Sequence, residues 1–284
     1  MSPNAPSPRP KLPNRQVLIR VALTVIAAVI AFNIPHSLIP MFKEFVSQAT
    51  APPEIQNVLA GKRKIVIVGD SITEGGKNPG GYVWLLERYL SALYPAGKIK
   101  IINAGISGNK ASDMQARFQK DAIDKKPDLV MINVGVNDVW HAFFNFQKNQ
   151  FFPQGNLPTG VPLAEYRDKI TQMVLAAKAA GIRVVLLSPT PIGEILDGPE
   201  NSRLQEYIAA MREIALQNQC LFIDLNAPCR EVIGTYQKHA GKTLNLLAED
   251  GVHPNPSGYR IIAFTILRGL GVPAKDIENL EVKS

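Results

Sequence analysis

The stretch Ile65–Gly75, IVIVGDSITEG, decides how the chain is organised. Its first four residues form an apolar run that stops abruptly at Gly69, Asp70 and Ser71. A short, uninterrupted aliphatic run that ends at a turn residue is typical of a strand buried on both faces. Such a strand belongs in a parallel sheet, and the polar residues that follow it lie where open parallel sheets bind ligands.

Further short aliphatic runs follow the first, and longer amphipathic stretches separate them. The predicted strands are Lys64–Val68, Ile99–Ile102, Leu129–Val134, Arg183–Leu187 and Leu221–Ile223. The predicted helices are Tyr82–Leu93, Met114–Ala122, Leu163–Ala180, Ser202–Gln217 and Pro256–Leu267, with Asn201 or Ser202 as the capping candidate of the fourth. Because strands that are apolar throughout must be covered on both faces, the pattern predicts an α/β fold with a central parallel sheet between helices.

The composition changes most sharply before residue 63. Residues 1–16 are rich in Pro, Ser and Asn, which predicts a disordered tail on the cytoplasmic side. Residues 17–42 contain an apolar core whose flanks extend it towards the roughly 20 residues that a bilayer span needs. We therefore predict a signal anchor or transmembrane helix over residues 17–42, a linker over 43–62 and a folded domain over 63–284.

The charges around the apolar segment predict its orientation. Basic residues cluster before it, whereas only Lys43 follows it closely, so the N-terminus is expected in the cytoplasm and the folded domain outside. A cleavage-like ATA at residues 49–51 lies far beyond the apolar core, which favours an uncleaved anchor over a cleaved signal peptide. The expected location is a membrane-anchored, extracytoplasmic domain, or a secreted one if the segment is cleaved.

The overall composition excludes some classes of protein. The 284 residues are 46% hydrophobic, enough for a well-cored domain, and the net charge of +7 comes from scattered basic residues. No dense basic stripe is present, so nucleic acid is not an expected partner. Cys220 and Cys229 lack metal-ligand spacing; they are either free core thiols or one bridge, and a purely structural role is favoured.

Polar loops follow several predicted strands. They include NAGISGN at Asn103–Asn109, GVND at Gly135–Asp138 and SPTP at Ser188–Pro191. Near the C-terminus, EDGVHPNPSGY places Asp250 three residues before His253, just ahead of a helix that Asn255 and Pro256 are expected to open. At that spacing a carboxylate can hold one ring nitrogen of the histidine, leaving the other to take a proton from a serine hydroxyl.

In order and approximate spacing, GDSITEG, NAGISGN, GVND and DGVHP resemble the four sequence blocks of the SGNH hydrolases, also called GDSL esterases and lipases. The resemblance covers about Lys64–Leu270 and departs from the family name only in Ile72, where GDSL has leucine. It implies a flavodoxin-like three-layer α/β/α fold, here preceded by the N-terminal hydrophobic helix. It also implies hydrolysis of acyl esters without a metal or an organic cofactor.

The resemblance assigns roles to individual residues. Ser71 would be the nucleophile, His253 the general base and then acid, and Asp250 the group that orients the histidine. The oxyanion hole would comprise the backbone N–H groups of Ser71 and Gly108 and the side-chain amide of Asn137. These types suit the chemistry, since a glycine backbone approaches a ligand closely and an amide donates hydrogen bonds without carrying charge.

Three functions fit these residues. The first is a serine esterase acting on a short-chain or carbohydrate-borne acyl ester or on a lysophospholipid, with short acyl chains expected because no long apolar channel is evident in the sequence. The second is a membrane-anchored O-acyltransferase that passes the acyl group to a polysaccharide hydroxyl. The third is a non-catalytic carbohydrate-binding module. The expected partners are the ester substrate and, through residues 17–42, the membrane.

One long segment is left without a predicted element. Residues 139–162, VWHAFFNFQKNQFFPQGNLPTGVP, are rich in aromatic side chains and lack helix or strand periodicity. Long loops of this kind in compact domains are usually lids or binding loops. The alternative is that the aromatic rings fold under as a small satellite core, and the sequence favours neither.

Overall fold

The computed structural model describes residues 63–240 and 245–278, together with residues 59, 61 and 280. The predicted tail, the predicted anchor and the linker apart from residues 59 and 61 lie outside these residues. Among the helices within the described ranges, none combines the length and the apolar character needed to cross a bilayer.

A parallel sheet of five strands forms the centre of the domain. Its strands are β1 Lys64–Gly69, β2 Lys100–Gly105, β3 Leu129–Asn133, β6 Arg183–Leu187 and β7 Leu221–Ile223, while β4 Phe144–Asn145 and β5 Gln150–Phe151 form a separate hairpin. The strand order is β2-β1-β3-β6-β7, and every neighbouring pair is parallel. This is the doubly wound, flavodoxin-like order, in which the chain starts in the interior of the sheet and winds to both edges. All five predicted strands are confirmed to within three residues at each end.

Helices cover both faces of the sheet. They are α1 Ser71–Gly75, α2 Tyr82–Leu93, α3 Ala111–Asp121, α4 Val136–Phe143, α5 Leu163–Ala179, α6 Pro199–Gln217, α7 Asn226–Ala240, α8 Pro256–Gly269 and α9 Ala274–Glu278. Helices α2, α7 and α8 pack together in one group, and α3, α5 and α6 form a second group. The predicted three-layer α/β/α architecture is therefore confirmed. The strands β1 and β3 are almost entirely buried between the layers, as their continuous aliphatic sequences require.

Of the two helix caps predicted from the sequence, one is confirmed and one is wrong. Asn255 caps α8 as predicted, because its side-chain oxygen accepts hydrogen bonds from the backbone N–H groups of Ser257 and Gly258, both at 3.0 Å. The capping prediction for the fourth predicted helix, at Asn201 or Ser202, is wrong: α6 begins at Pro199, whose fixed φ and missing N–H suit a first helical position.

The Asn201 side chain has a different use, and it is fully buried. Its oxygen accepts from the Ile192 backbone N–H at 3.0 Å, and its nitrogen donates to the carbonyls of Ile192 at 2.7 Å and Ile195 at 2.9 Å. Asn201 therefore fixes the loop after β6 against α6. A polar residue near a helix start suggests a cap in the sequence, and only the folded chain shows that its partners lie in another segment.

The aromatic segment 139–162 divides into a buried and an exposed part. Its first residues complete α4, and a small antiparallel hairpin follows, formed by β4 Phe144–Asn145 and β5 Gln150–Phe151. Phe143 is buried in the main core, whereas Phe146 is 50% exposed and Phe151 is 44% exposed. The satellite core does not form around Phe143, which belongs to the main core, and the interpretation of the exposed part as a lid or binding loop stays a prediction.

Both cysteines are free thiols. Cys229 is buried and Cys220 is partly buried. Of the two alternatives from the sequence, the structure shows the unbridged one.

Two glycines let α1 lie against the ends of β1 and β2. A Cβ atom on Gly69 would lie 1.9 Å from the Thr73 hydroxyl oxygen, and one on Gly105 would lie 2.2 Å from the Glu74 backbone nitrogen. No real Cβ contact is that short, so any side chain at these positions would displace α1. The position of Ser71, the first residue of α1, therefore depends on both glycines.

We predict that Gly105→Ala lowers the free energy of unfolding by about 1–3 kcal/mol, the usual cost of inserting a methyl group into a packed site. The nearest obstacle is backbone, which cannot rotate away as a side chain would. Urea unfolding measures the change. Gly97→Ala is the matched control, since its new methyl group would meet only side-chain carbons, the nearest at 3.5 Å. Equal stability of the two variants would contradict the prediction.

Candidate active site

Ser71, His253 and Asp250 form one chain of hydrogen bonds at the carboxyl edge of the sheet. The Ser71 hydroxyl oxygen lies 2.8 Å from His253 Nε2, and His253 Nδ1 lies 2.6 Å from Asp250 Oδ2. Ser71 opens α1 directly after β1, whereas the other two residues belong to the loop before α8. The fold therefore brings together residues that are 182 positions apart.

The loop that carries Asp250 and His253 is tied to itself. Asp250 Oδ1 accepts from the backbone N–H groups of Val252 at 3.0 Å and His253 at 2.7 Å, so one carboxylate holds both the backbone and the ring of the histidine. Partial burial raises the pKa of Asp250, but the hydrogen bonds from the His253 ring and from the two backbone groups outweigh it, and the net pKa lies below its usual value. Asp250 is thus an anion under neutral conditions.

A second carboxylate anchors this loop from outside. Glu194, which is 7% exposed, accepts from the backbone N–H groups of Leu246 and Leu247, each at 2.7 Å. Next to it, the Gly193 N–H donates to the Gly251 carbonyl at 2.6 Å. The loop after β6 therefore holds the segment of Asp250 and His253 in place. The sequence analysis missed Glu194, because a glutamate in a loop ordinarily indicates a solvated side chain.

Asn137 is hydrogen-bonded to Asn109, the residue that follows Gly108. Gly108 lies in the exposed turn after β2 with φ +76°, and the space that a side chain would take there is open, since a Cβ atom on it would meet nothing within 4 Å. Asn137, in the first turn of α4, is buried and donates from Nδ2 to the Asn109 carbonyl at 3.0 Å. An amide nitrogen carries two hydrogens, so one N–H of Asn137 remains for another acceptor.

Arg117 of α3 ties the Gly108 loop to the ends of the strands. Its guanidinium donates to the Asn109 side-chain oxygen at 2.7 Å, to the Ala104 carbonyl at 2.8 Å and to the Gly69 carbonyl at 3.0 Å. One planar group thereby links β1, β2 and the loop. Sequence alone gave no signal for it, because the residue lies on an amphipathic helix among ordinary surface charges.

Two buried carboxyl groups lie beneath the site. Asp70 caps α1, with Oδ1 accepting from the Ile72 N–H at 3.0 Å, and Asp138 Oδ1 accepts from the Ala111 N–H at 2.9 Å, which fixes the start of α3. The second oxygen of each group is buried and has no hydrogen-bond partner among the residues described. Such a pair is costly, since a buried charge needs full compensation.

Burial raises the pKa of both carboxyl groups. The pKa of Asp70 rises to about 6, with the Ile72 N–H and the charge of His253 opposing the effect of burial. The pKa of Asp138 rises to about 7, with the Ala111 N–H opposing burial and the nearby Asp70 adding to it. Neither group belongs to the hydrogen-bonded chain of Ser71, but each fixes the helix or loop that a proposed site residue occupies.

The arrangement can perform nucleophilic chemistry. A hydroxyl, an imidazole and a carboxylate joined by hydrogen bonds can move one proton, and the second N–H of the Asn137 amide can donate to an oxyanion. In the part of the chain that the structure describes, no three His, Cys, Asp or Glu side chains are grouped to hold a metal ion.

We predict that Asp138→Asn weakens the pH dependence of stability. Because the folded pKa of about 7 exceeds the unfolded value of 3.8, this group stabilises the fold fully below pH 3.8 and loses that contribution as the pH rises through 7. Asparagine keeps an oxygen for Ala111 and cannot ionise. The free energy of unfolding of the variant, relative to wild type, should therefore rise between about pH 5 and pH 8.

Urea unfolding at several pH values measures this difference, and any constant cost of the amide cancels from it. Asp197→Asn serves as the control, since Asp197 is exposed. Parallel pH profiles for wild type and Asp138→Asn would show that Asp138 is not the buried acid that the geometry indicates.

The chain is similar in sequence and fold to known esterases. An acetylxylan esterase from Geobacillus stearothermophilus is 33% identical over 220 residues, which cover 73% of this chain and 94% of that protein. Its crystal structure superposes with a TM-score of 0.63 at 32% identity, covering 74% of this chain and 94% of that one. Alanine variants of that enzyme at a serine, at a histidine and at an aspartate three positions before the histidine are described as catalytic mutants.

A more distant relative, the isoamyl acetate-hydrolyzing esterase of Saccharomyces cerevisiae, is 25% identical over 224 residues, or 72% of this chain and 84% of that protein. The model of the GDSL-like lipase/acylhydrolase family matches residues 67–261. The chain therefore belongs to the GDSL-like lipase/acylhydrolase family, the SGNH hydrolases, and is a hydrolase of carboxylic esters.

Proposed function

We propose that the protein is a serine esterase that removes short acyl groups, acetyl in particular, from carbohydrate. The observation that carries the mechanism is the 2.8 Å contact between the Ser71 hydroxyl and His253 Nε2, in line with the 2.6 Å contact between His253 Nδ1 and Asp250. The support for the substrate is the relationship to the acetylxylan esterase, which covers nearly the whole of that enzyme.

In the proposed reaction the Ser71 oxygen attacks the ester carbonyl carbon while His253 Nε2 takes the hydroxyl proton. Asp250 keeps the other ring nitrogen protonated and stabilises the imidazolium that forms. His253 then returns the proton to the leaving sugar oxygen, and an acyl group remains on Ser71. Water, deprotonated by His253, attacks this acyl-enzyme, and the acid leaves as Ser71 recovers its proton.

The negative oxygen that develops in both steps needs fixed donors. We assign this role to the backbone N–H groups of Ser71 and Gly108 and to the second N–H of Asn137. What supports the assignment is the exposed position of Gly108 and the Asn137–Asn109 hydrogen bond, which holds the amide against the loop that contains Gly108. Donors held in place before the reaction stabilise the transition state without reorganising.

We also propose where in the cell the enzyme is located. The excess of basic residues before residues 17–42 supports an extracytoplasmic domain tethered to the membrane, where extracellular polysaccharide would be within reach.

We predict that Asn137→Ala lowers kcat about a hundred- to a thousandfold, or roughly 2.7–4 kcal/mol of transition-state stabilisation, with little change in KM. Ser71→Ala should abolish covalent labelling by a fluorophosphonate, whereas Asn137→Ala should retain slow labelling. Steady-state kinetics measure kcat and KM, and the labelling experiment measures the reactivity of Ser71. A thermal melt shows whether each variant is folded.

Asn218→Ala is a matched control for Asn137→Ala, because the Asn218 amide likewise donates to a backbone carbonyl, at 2.9 Å, but lies at the end of α6. It should lose stability and keep its kcat. If Asn137→Ala behaves in the same way, Asn137 is a structural residue and not an oxyanion donor.

We predict that acetate and butyrate esters of 4-nitrophenol are hydrolysed faster than long-chain esters, and that acetate is released from acetylated xylo-oligosaccharides. The experiment compares kcat/KM across chain lengths and measures free acetate from the sugar substrates. Preference for long-chain esters or lysophospholipids would overturn the proposed substrate class. Transfer of acetyl to an added sugar acceptor in place of water would identify an O-acyltransferase instead.

A further inference from the structure

Four aromatic rings cluster on α4 and on the hairpin that follows it, and we refer to them as the aromatic shelf: Trp140, His141, Phe144 and Phe146. Phe146 is exposed, and the other three are partly buried. Phe146 is the centre of the shelf, with its ring centroid 4.9 Å from those of Trp140 and His141 and 5.0 Å from that of Phe144. These rings meet at steep angles between 56° and 82°, so their faces are not stacked against one another. Phe146 nevertheless remains 50% exposed.

The aromatic segment 139–162 does not expose all of its rings. Phe143, immediately before the hairpin, is 1% exposed and packs in the main core under the Arg203 guanidinium, whose carbon lies 4.7 Å from the ring centre. The same stretch of chain can therefore bury an aromatic ring. A group of apolar rings left at the surface commonly marks a binding site.

Helix α4 connects the shelf to the proposed oxyanion hole. Trp140 and His141 follow Asn137 by three and four positions, so all three side chains lie along one side of the helix about one turn apart. A second connection runs through hydrogen bonds, from the Thr159 hydroxyl to the His141 carbonyl at 2.6 Å and from Lys110 Nζ to the Thr159 carbonyl at 3.1 Å. Lys110 directly follows Asn109 in the loop of Gly108.

The shelf also carries polar groups suited to a neutral ligand. Neither ring nitrogen of His141 hydrogen-bonds to a residue in the described part of the chain. Burial and the nearby charge of Lys110 lower the pKa of His141 against a smaller opposing effect of Asp113, which favours the neutral ring. A neutral imidazole has one donor and one acceptor, the pair of groups that a sugar hydroxyl can satisfy.

An open shelf suits a sugar ring better than an acyl chain. A pyranose has a face of C–H groups that can lie on an aromatic ring, while its hydroxyls stay in contact with water and with polar neighbours. A long acyl chain is bound well only where it is largely enclosed by apolar walls, and Phe146, the central ring, is half exposed.

We infer that the aromatic shelf is a subsite for a sugar ring adjoining the one that carries the ester. The inference rests on the proposed carbohydrate substrate and adds where the rest of the chain of sugars binds. We place the subsite beside the Asn137 end of the proposed oxyanion hole, with the esterified sugar between Ser71 and the shelf. The shelf then selects oligosaccharides over single acetylated sugars.

The test compares Phe146→Ala, Phe146→Leu and Phe146→Tyr with wild type on acetylated xylo-oligosaccharides and on 4-nitrophenyl acetate. The ratio of kcat/KM for the oligosaccharide to that for 4-nitrophenyl acetate should fall up to about tenfold in the Ala and Leu variants, the range of a single ring contact. Phe146→Tyr keeps a ring and should retain the wild-type ratio, which separates ring stacking from general apolar contact.

Phe151→Ala is the matched control, because Phe151 has similar exposure on the same hairpin but contacts Phe143 and not the shelf. It should keep the wild-type ratio, and thermal melts identify any variant that is unfolded. An unchanged ratio in Phe146→Ala, or a loss confined to long-chain esters, would overturn the subsite. A wild-type enzyme that cleaves 4-nitrophenyl acetate but no acetylated sugar would overturn the proposed substrate itself, and the subsite with it.

Discussion

The site depends first on the close approach of α1 to the ends of β1 and β2. Two glycines make it possible, since a methyl group on Gly69 or Gly105 would overlap α1. The Asn103 side chain strengthens the approach by donating to the Thr73 carbonyl at 2.5 Å and accepting from the Gly105 N–H at 2.9 Å. At Gly105 the contact is backbone against backbone, which cannot adjust by side-chain rotation, and this contact helps to hold Ser71 in place.

The other proposed site residues lie on loops, and charged side chains hold those loops. Arg117 links the ends of two strands to the Gly108 loop, and Glu194 holds the segment before Asp250 by two backbone N–H groups. Hydrogen bonds to charged groups are stronger than neutral ones. A rigid sheet with loops fixed in this way can keep a serine, a histidine and a carboxylate aligned even though His253 and Asp250 remain partly open to solvent.

The same region contains buried polar groups that are costly to the fold. Asp70 and Asp138 each keep one buried oxygen without a hydrogen-bond partner, and burial raises the pKa of both. Each acid fixes the start of a helix, Asp70 for α1 and Asp138 for α3. Local cost of this kind is common at functional sites, where the positions of polar groups matter more than stability. The stability of the domain is thereby linked to pH through residues that do not themselves react.

The sequence by itself determined the fold class, because continuous aliphatic strands alternating with amphipathic helices admit few arrangements. Through the resemblance of four motifs, taken in order, to the SGNH blocks, it also identified Ser71, Gly108, Asn137, Asp250 and His253 as candidates. Only the tertiary structure decided which side chains serve those motifs, because Asn201, Arg117 and Glu194 act on segments distant in sequence. It also decided that Phe143 is buried while Phe146 is exposed. Aromatic composition does not show which rings face the core, because that depends on packing against the rest of the chain.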